Sequence, residues 1–288
     1  MKAMRKLFPN SELFPFQLIY KDTKSPQSEL PNHFHDWYEI VYVYSGKGMF
    51  FIDTAFYEMK AGDVFLIPKD TIHRAMPDKH DPVTSSILFF SPLVIQNVPL
   101  GEAFDLPAFF ESVRKGKLYR PPLDRHNQTM LRRHIETIRE ELAQSKQGYR
   151  FAARLTLHRI ILEISRMGIM DFTVTEASMP NGAPWLKEIL LHMENNLSGH
   201  LTLSALAHEA LVSPEHFSRV FKQMTGMNLT AYIHTKRIIK ARNLLIETTL
   251  AIPIVAEHCG FESLPHFHRT FKKYTGQTPA AFRKESQR

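Results

Sequence analysis

Strand-length apolar runs open the chain, and a helical period replaces them in the middle and at the end. Up to about residue 92, β-branched and aromatic residues are cut into short runs by Gly and Pro. This predicts strands at 39–44, 48–52, 64–67 and 85–90, with turns at Ser45-Gly46, Asp53-Thr54, Gly62-Asp63 and Pro77-Asp78, the spacing of an antiparallel all-β fold. Over 124–168, Met130, Leu131, Ile135, Ile138 and Leu142 recur at intervals of three and four. Gln147-Gly148 then breaks the stripe, which resumes through Phe151, Leu155, Ile161, Ile164 and Met167. An antiparallel helical hairpin is expected. Residues 171–184 lack periodicity and carry Ser178, Pro180, Asn181, Gly182 and Pro184, the composition of a linker between a domain spanning 1–170 and another spanning 185–288.

The 288 residues carry a formal charge of +7, of which +5 falls in residues 184–288 and +2 in residues 1–183. An anionic partner for the smaller domain follows. A single cysteine, Cys259, excludes an intrachain disulfide and a cysteine zinc cage, as expected in a reducing compartment. No apolar run reaches the ~18 residues of a membrane span, and Pro9, Asn10, Ser11 and Glu12 interrupt any signal core. A cytoplasmic protein without a membrane partner is expected.

The C-terminal domain repeats at an offset of 50. His216-Phe217-Ser218-Arg219-Val220-Phe221-Lys222 matches His266-Phe267-His268-Arg269-Thr270-Phe271-Lys272, and Thr225-Gly226 matches Thr275-Gly276; upstream the offset is 49. Each copy reads as a short helix (203–211; 253–259), a turn, a second helix (214–224; 264–274) and a Gly stop, with Ser213 and Ser263 at the N-caps. These are helix-turn-helix units. Phe217, Val220, Phe221 and Met224 form the inner stripe of one second helix and Phe267, Thr270, Phe271 and Tyr274 that of the other. Glu215, Ser218, Arg219 and Lys222, and His268, Arg269 and Lys272, are left facing outward. Such faces are commonly solvated, but their repetition with Arg at the equivalent outward position favours two readers of major grooves. Residues 229–247 between the copies form one helix, roughly 18 residues and about 27 Å long, that would hold the readers near one DNA turn, ~34 Å, apart. Its cations Lys236, Arg237, Lys240 and Arg242 are phosphate contacts or solvated charges.

Residues 185–288 resemble the DNA-binding domain of the AraC/XylS transcription regulators, including Ala256-Glu257-His258-Cys259-Gly260-Phe261 and Gly276-Gln277-Thr278-Pro279. The resemblance places base contacts on Glu215, His216, Ser218 and Arg219 in the first unit and on Leu264, His266, His268 and Arg269 in the second. Pro265 stands where a polar reader is the alternative, and Cys259 is a packed small hydrophobe.

In the first domain, His33-Phe34-His35-Asp36-Trp37-Tyr38-Glu39 with Gly46, followed by Gly62 to His73, resembles the two cupin motifs. The fold class is therefore α+β: a cupin-type β-barrel with a helical hairpin, then an all-α domain with two helix-turn-helix units. If 33–43 is extended, His33, His35, Trp37 and Glu39 share an interior face. His33, His35, Glu39 and His73 stand where metal-binding cupins place three His and one Glu, although Asp70 replaces a Gly and Pro77 an Asn. Imidazole and carboxylate suit Zn, Fe, Mn or Ni. They also suit the hydroxyls of a metal-free sugar, with Trp37 stacking on its face, so no cofactor is required. The expectation is a regulator without enzymatic activity whose partners are an operator duplex, a sugar-class effector and a second copy paired through the hairpin, with RNA polymerase a further partner open to it. Its rivals are a cupin metalloenzyme with an appended DNA module and an architectural protein with no effector.

Overall fold

The computed structural model describes residues 4–6, 8, 13–26, 32–96, 105–167 and 183–286. The predicted linker, 171–184, lies outside them except for Ala183 and Pro184. The chain divides into one compact unit built on Lys6–Leu30 and Phe34–Ala177 and another built on Ser178–Arg288. Among the described residues no helix is long and apolar enough to cross a membrane.

The first unit carries β1 (Met4–Arg5), β2 (Phe16–Lys24), β3 (His33–Phe34), β4 (Tyr38–Ser45), β5 (Gly48–Ile52), β6 (Ala55–Met59), β7 (Val64–Ile67), β8 (His73–Pro77) and β9 (Val83–Phe90). The two-residue strands are described with the sheet they pair in, β3 beside β8 and β1 beside β3. The expected barrel is built as two separate ladders, β1-β3-β8-β5-β6 and β2-β9-β4-β7, not as one closed sheet. Their inner faces share one core, where the Phe50 and Phe65 rings meet at 4.9 Å. Strands β5 and β7 fall on their predicted bounds, whereas β2, β6 and β8 were not anticipated. Strand β2 pairs only with β9, and its Lys21, Asp22 and Lys24 mute the apolar signal, as suits a sheet edge.

The helices of this unit are α1 (Leu106–Gly116), unforeseen, and α2 (Arg125–Gln144) and α3 (Tyr149–Arg166), which realise the hairpin. Asp124 caps α2 by accepting the Asn127 N–H at 2.7 Å, and Gly148, at φ +84°, reverses the chain into α3. The stripe on α3 needs correction. Ala153, Leu157, Ile160, Ile161 and Ile164 are buried, whereas Phe151 and Leu155 are 64% and 53% exposed. The inward face is set by the later, denser apolar positions, which a 3.6-residue period carries past Phe151 and Leu155.

The second unit is helical: α4 (Trp185–Asn195), α5 (Leu203–Glu209), α6 (Pro214–Thr225), α7 (Leu229–Glu247), α8 (Ile252–His258), α9 (Leu264–Thr275) and α10 (Pro279–Ser286). The connecting helix α7 has 19 residues. Cys259 is buried against α7 and α9, and burial pushes its thiol up to about 11. A neutral, enclosed thiol does not attack alkylating reagents. Native protein at neutral pH should leave Cys259 unlabelled by iodoacetamide, and urea should expose it; fast native labelling would contradict the packing.

Candidate functional site

The two readers are built from the same local chemistry. Helices α6 and α9 end at Gly226 and Gly276, at φ +70° and +80°, whose N–H groups donate to the carbonyls of Lys222 and Lys272 at 2.8 and 2.9 Å. Thr225 Oγ1 donates to the Phe221 carbonyl and accepts the Met227 N–H; Thr275 repeats this with Phe271 and Gln277. Phe217 and Phe221, like Phe267 and Phe271, are fully buried, so each helix turns its polar side outward. One cap differs. Ser213 Oγ accepts the His216 N–H at 3.2 Å, whereas Ser263, at φ −139° instead of −70°, makes no side-chain cap bond. The expected second cap is therefore absent.

Glu215, His216, Ser218, Arg219 and Lys222 are all exposed, as are Leu264, Arg269 and Lys272. Arg219 Nη2 donates to His216 Nδ1 at 3.2 Å, which holds the guanidinium along its own helix. His266 and His268 are half-buried. The His266 ring stands edge-on to His234 of α7 at 5.3 Å and to Phe261 at 5.6 Å. Burial, and then the charges of His266, Arg237 and Lys273, push the His234 imidazole down. Three of the four α7 cations have partners within the domain. Arg237 donates to the carbonyls of Leu197 and Gly199 at 2.9 and 2.8 Å, and Lys236 pairs with Glu194 at 3.5 Å. Arg242 is buried, its guanidinium 5.3 Å from the Phe282 ring. These long side chains satisfy helix-end carbonyls and cover apolar surface, work that their charge alone does not disclose.

The repeat also runs further than the reader words. At an offset of 49, Trp185 matches His234, and the buried Leu186, Ile189, Leu190 and Met193 match the buried Thr235, Ile238, Ile239 and Arg242. At an offset of 50, Asn228 and Tyr232 match Thr278 and Phe282. Asn228 and Thr278 both cap, on Ala231 and Ala281, and Tyr232 meets Phe221 at 5.5 Å as Phe282 meets Phe271 at 5.5 Å. The start of α7 closes the first unit and the remainder opens the second.

In the first unit of the chain, the side-chain ligand atoms of His33, His35, Glu39 and His73 lie within 4.8 Å of one another, and all four residues are buried. Their convergence does not come from one extended strand. The chain bends at Asp36 and Trp37, so His33 sits in β3 of one sheet and Glu39 in β4 of the other. Asp70, where the motif has Gly, takes φ +60° and donates its N–H to the His35 carbonyl, a left-handed turn that Asp tolerates better than most residues. Trp37 is buried and stacks on Phe8 at 4.3 Å, so that ring face is covered by protein.

His35 Nδ1 lies 2.8 Å from the Trp37 carbonyl and His73 Nδ1 2.9 Å from the Thr71 carbonyl. A carbonyl only accepts, so each Nδ1 carries a proton, and both Nε2 atoms face Glu39 Oε2 at 3.0 and 3.1 Å, donating when the ring is protonated and offering a lone pair when it is neutral. Burial pushes the His35 imidazole down, towards neutrality. Burial alone would raise Glu39, but the His73 charge and the bonds from both imidazoles outweigh it and hold the carboxyl well below its usual range. When the imidazoles are neutral, their two Nε2 lone pairs and the Glu39 carboxylate form a donor set open to a cation. Nδ1 bonds to backbone carbonyls are the arrangement that orients histidine ligands, and this donor set fits a divalent transition metal. Separately, a groove of about 710 Å³ opens on the first unit beside Met49, Met59 and Met76, with Lys47, Lys60 and Lys79 among its other lining residues. It includes none of the candidate binding residues named from sequence, although the predicted turn residues Pro77 and Asp78 line it.

The family described as AraC-like ligand binding domain matches residues 15–161, and that described as helix-turn-helix domain matches 206–285. The chain is 26% identical over 266 residues to the HTH-type transcriptional activator RhaS of Pectobacterium carotovorum subsp. carotovorum (strain PC1), covering 92% of this chain and 91% of that one. It is 26% identical over 272 residues to the HTH-type transcriptional activator RhaR of Escherichia coli O139:H28 (strain E24377A / ETEC), covering 93% and 92%. The bifunctional transcriptional activator/DNA repair enzyme AdaA of Bacillus subtilis (strain 168) is 39% identical over 112 residues, 39% of this chain and 53% of that one.

Proposed function

The chain belongs to the AraC-like family of transcription regulators, which join a ligand-binding domain to a helix-turn-helix domain, and on that premise we propose that it is a cytoplasmic, sugar-responsive regulator whose effector binds at the His33, His35, Glu39 and His73 cluster. The observation that carries the reading is this buried convergence of three imidazoles and a carboxylate in a chain that also carries two matched readers. His33, His35, Glu39 and His73 would hold a divalent transition metal, which would supply a Lewis-acid site for the hydroxyl oxygens of the effector; imidazole and carboxylate also bond such hydroxyls directly. The cluster binds and signals, and no reaction is assigned to it. Effector binding acts on the DNA-binding domain by favouring one of its states over another. Two copies pair through the α2–α3 hairpin, a role supported by exposed Phe151 and Leu155 one turn apart on α3. RNA polymerase is a further partner in this reading; relatives matched over nine-tenths of both chains are named transcriptional activators.

The test is a thermal-shift screen of the full chain against monosaccharides and their acids, with metal content measured on the same preparation. A ligand at 100 times its dissociation constant adds roughly 2.7 kcal/mol of stability, a shift of about 5–10 °C for a domain of this size. About one bound transition metal per chain is expected, lost in Glu39→Gln and His73→Ala. If no sugar shifts the transition, the effector class is wrong; if reconstituted protein retains no Zn, Fe, Mn or Ni, the metal is wrong.

A further inference from the structure

The matched readers differ where it matters most for sequence choice. The N-terminal residues of a recognition helix are those that reach base edges. In α6 that position offers Glu215, an exposed carboxylate. Its counterpart in α9 is Pro265, exposed and apolar, and beside it Leu264 leaves 39% of its surface in solvent. The neighbouring His266 is turned elsewhere, engaged edge-on by His234 and Phe261 at 5.3 and 5.6 Å. The Ser263 hydroxyl does not cap the helix. Leu264 and Pro265 thus present an apolar surface at the start of α9, followed one turn later by Arg269 and two turns later by Lys272.

In the major groove the one apolar feature on a base edge is the thymine methyl, and a carboxylate finds its donor on the cytosine N4 amine. Resting on the reading of α6 and α9 as operator readers, we propose that the two units recognise different chemistry: Leu264 and Pro265 pack on a thymine methyl in the element read by α9, and Glu215 accepts from a cytosine amine in the element read by α6. Leu264 and Pro265 are then specificity determinants of the second unit, and its recognition of that base pair is by shape and apolar contact. Arg269 supplies the polar contact.

The experiment uses the full chain to select duplexes from a random-sequence library, with the element read by α9 identified as the one whose preferences fade in Arg269→Ala. Replacing the thymine there by uracil removes only the methyl. For the wild-type protein this should weaken binding about fourfold, the worth of one buried methyl group. It should weaken binding of Leu264→Ala less, since Pro265 alone then packs on the methyl. Pro265→Glu should move the preference at that base pair from thymine to cytosine. Indifference of the wild-type protein to uracil, or an unchanged preference profile in both variants, overturns the inference while leaving the regulator reading intact. So does loss of transcription activation with unaltered DNA binding in Leu264→Ala, which would assign this surface to a protein partner. A selection that enriches no motif overturns the operator reading and this inference together.

Discussion

Arg219→Ala is expected to cost about 1–3 kcal/mol of operator affinity and to relax preference at a single base pair, the signature of a guanidinium paired with a guanine edge through two hydrogen bonds. Arg269→Ala should do the same in the second element, with a smaller loss. The difference follows from the His216 Nδ1 acceptor at 3.2 Å, which already restrains Arg219, whereas Arg269 is exposed on a helix whose histidine is occupied by His234. A long side chain restrained before binding has less rotamer freedom to lose on contact. Anisotropy titrations on single-base operator variants give the answer. Losses of equal size on every sequence, with a shallower salt slope, would make either arginine a phosphate contact.

Gly260→Ala should destabilise the second unit by about 2–4 kcal/mol, combining a left-handed backbone with overpacking. Gly260 holds φ +79°, and a Cβ there would meet the Leu197 carbonyl oxygen and Ser198 Cα at 2.8 Å, both backbone atoms that cannot swing aside. Its counterpart in the first copy is Leu211, at φ +55° and 90% exposed. Leu211→Gly is therefore expected to stabilise by about 1 kcal/mol, since it relieves the left-handed strain and forfeits almost no packing. Opposite signs at matched positions in chemical denaturation are the check; a neutral Gly260→Ala would refute the close approach.

The reader helices were legible because the residues that pack and those that face outward recur as words: His-Phe-x-Arg-x-Phe-Lys appears in both copies. The wider repeat was not, because its matched positions share burial and not chemistry. Met193 and Arg242 occupy equivalent enclosed sites, one as a hydrophobe and one as a guanidinium on an aromatic ring. A cation at an inward position defeats a periodicity argument, and for the same reason the α7 cations read as phosphate contacts or solvated charges when Arg242 is in fact enclosed. The sensor cluster shows the converse. Its four residues follow from motif spacing, yet the extended segment 33–43 expected to align His33, His35 and Glu39 does not exist, since a bend at Asp36 and Trp37 sends the chain from one sheet to the other. Strand β8 escaped notice because five residues beginning with His73 and Arg74 carry too little alternation to register.

The helix that ends one reader module and begins the next leaves the domain with no place to be cut. A fragment stopping after Thr225 lacks Tyr232 to lie against Phe221, and one starting at Leu250 lacks Ile238 and Leu245 beneath Phe267 and Phe271. Neither half is a smaller regulator. The domain should melt in a single transition, and any change that loosens one finger on the operator should slacken the other.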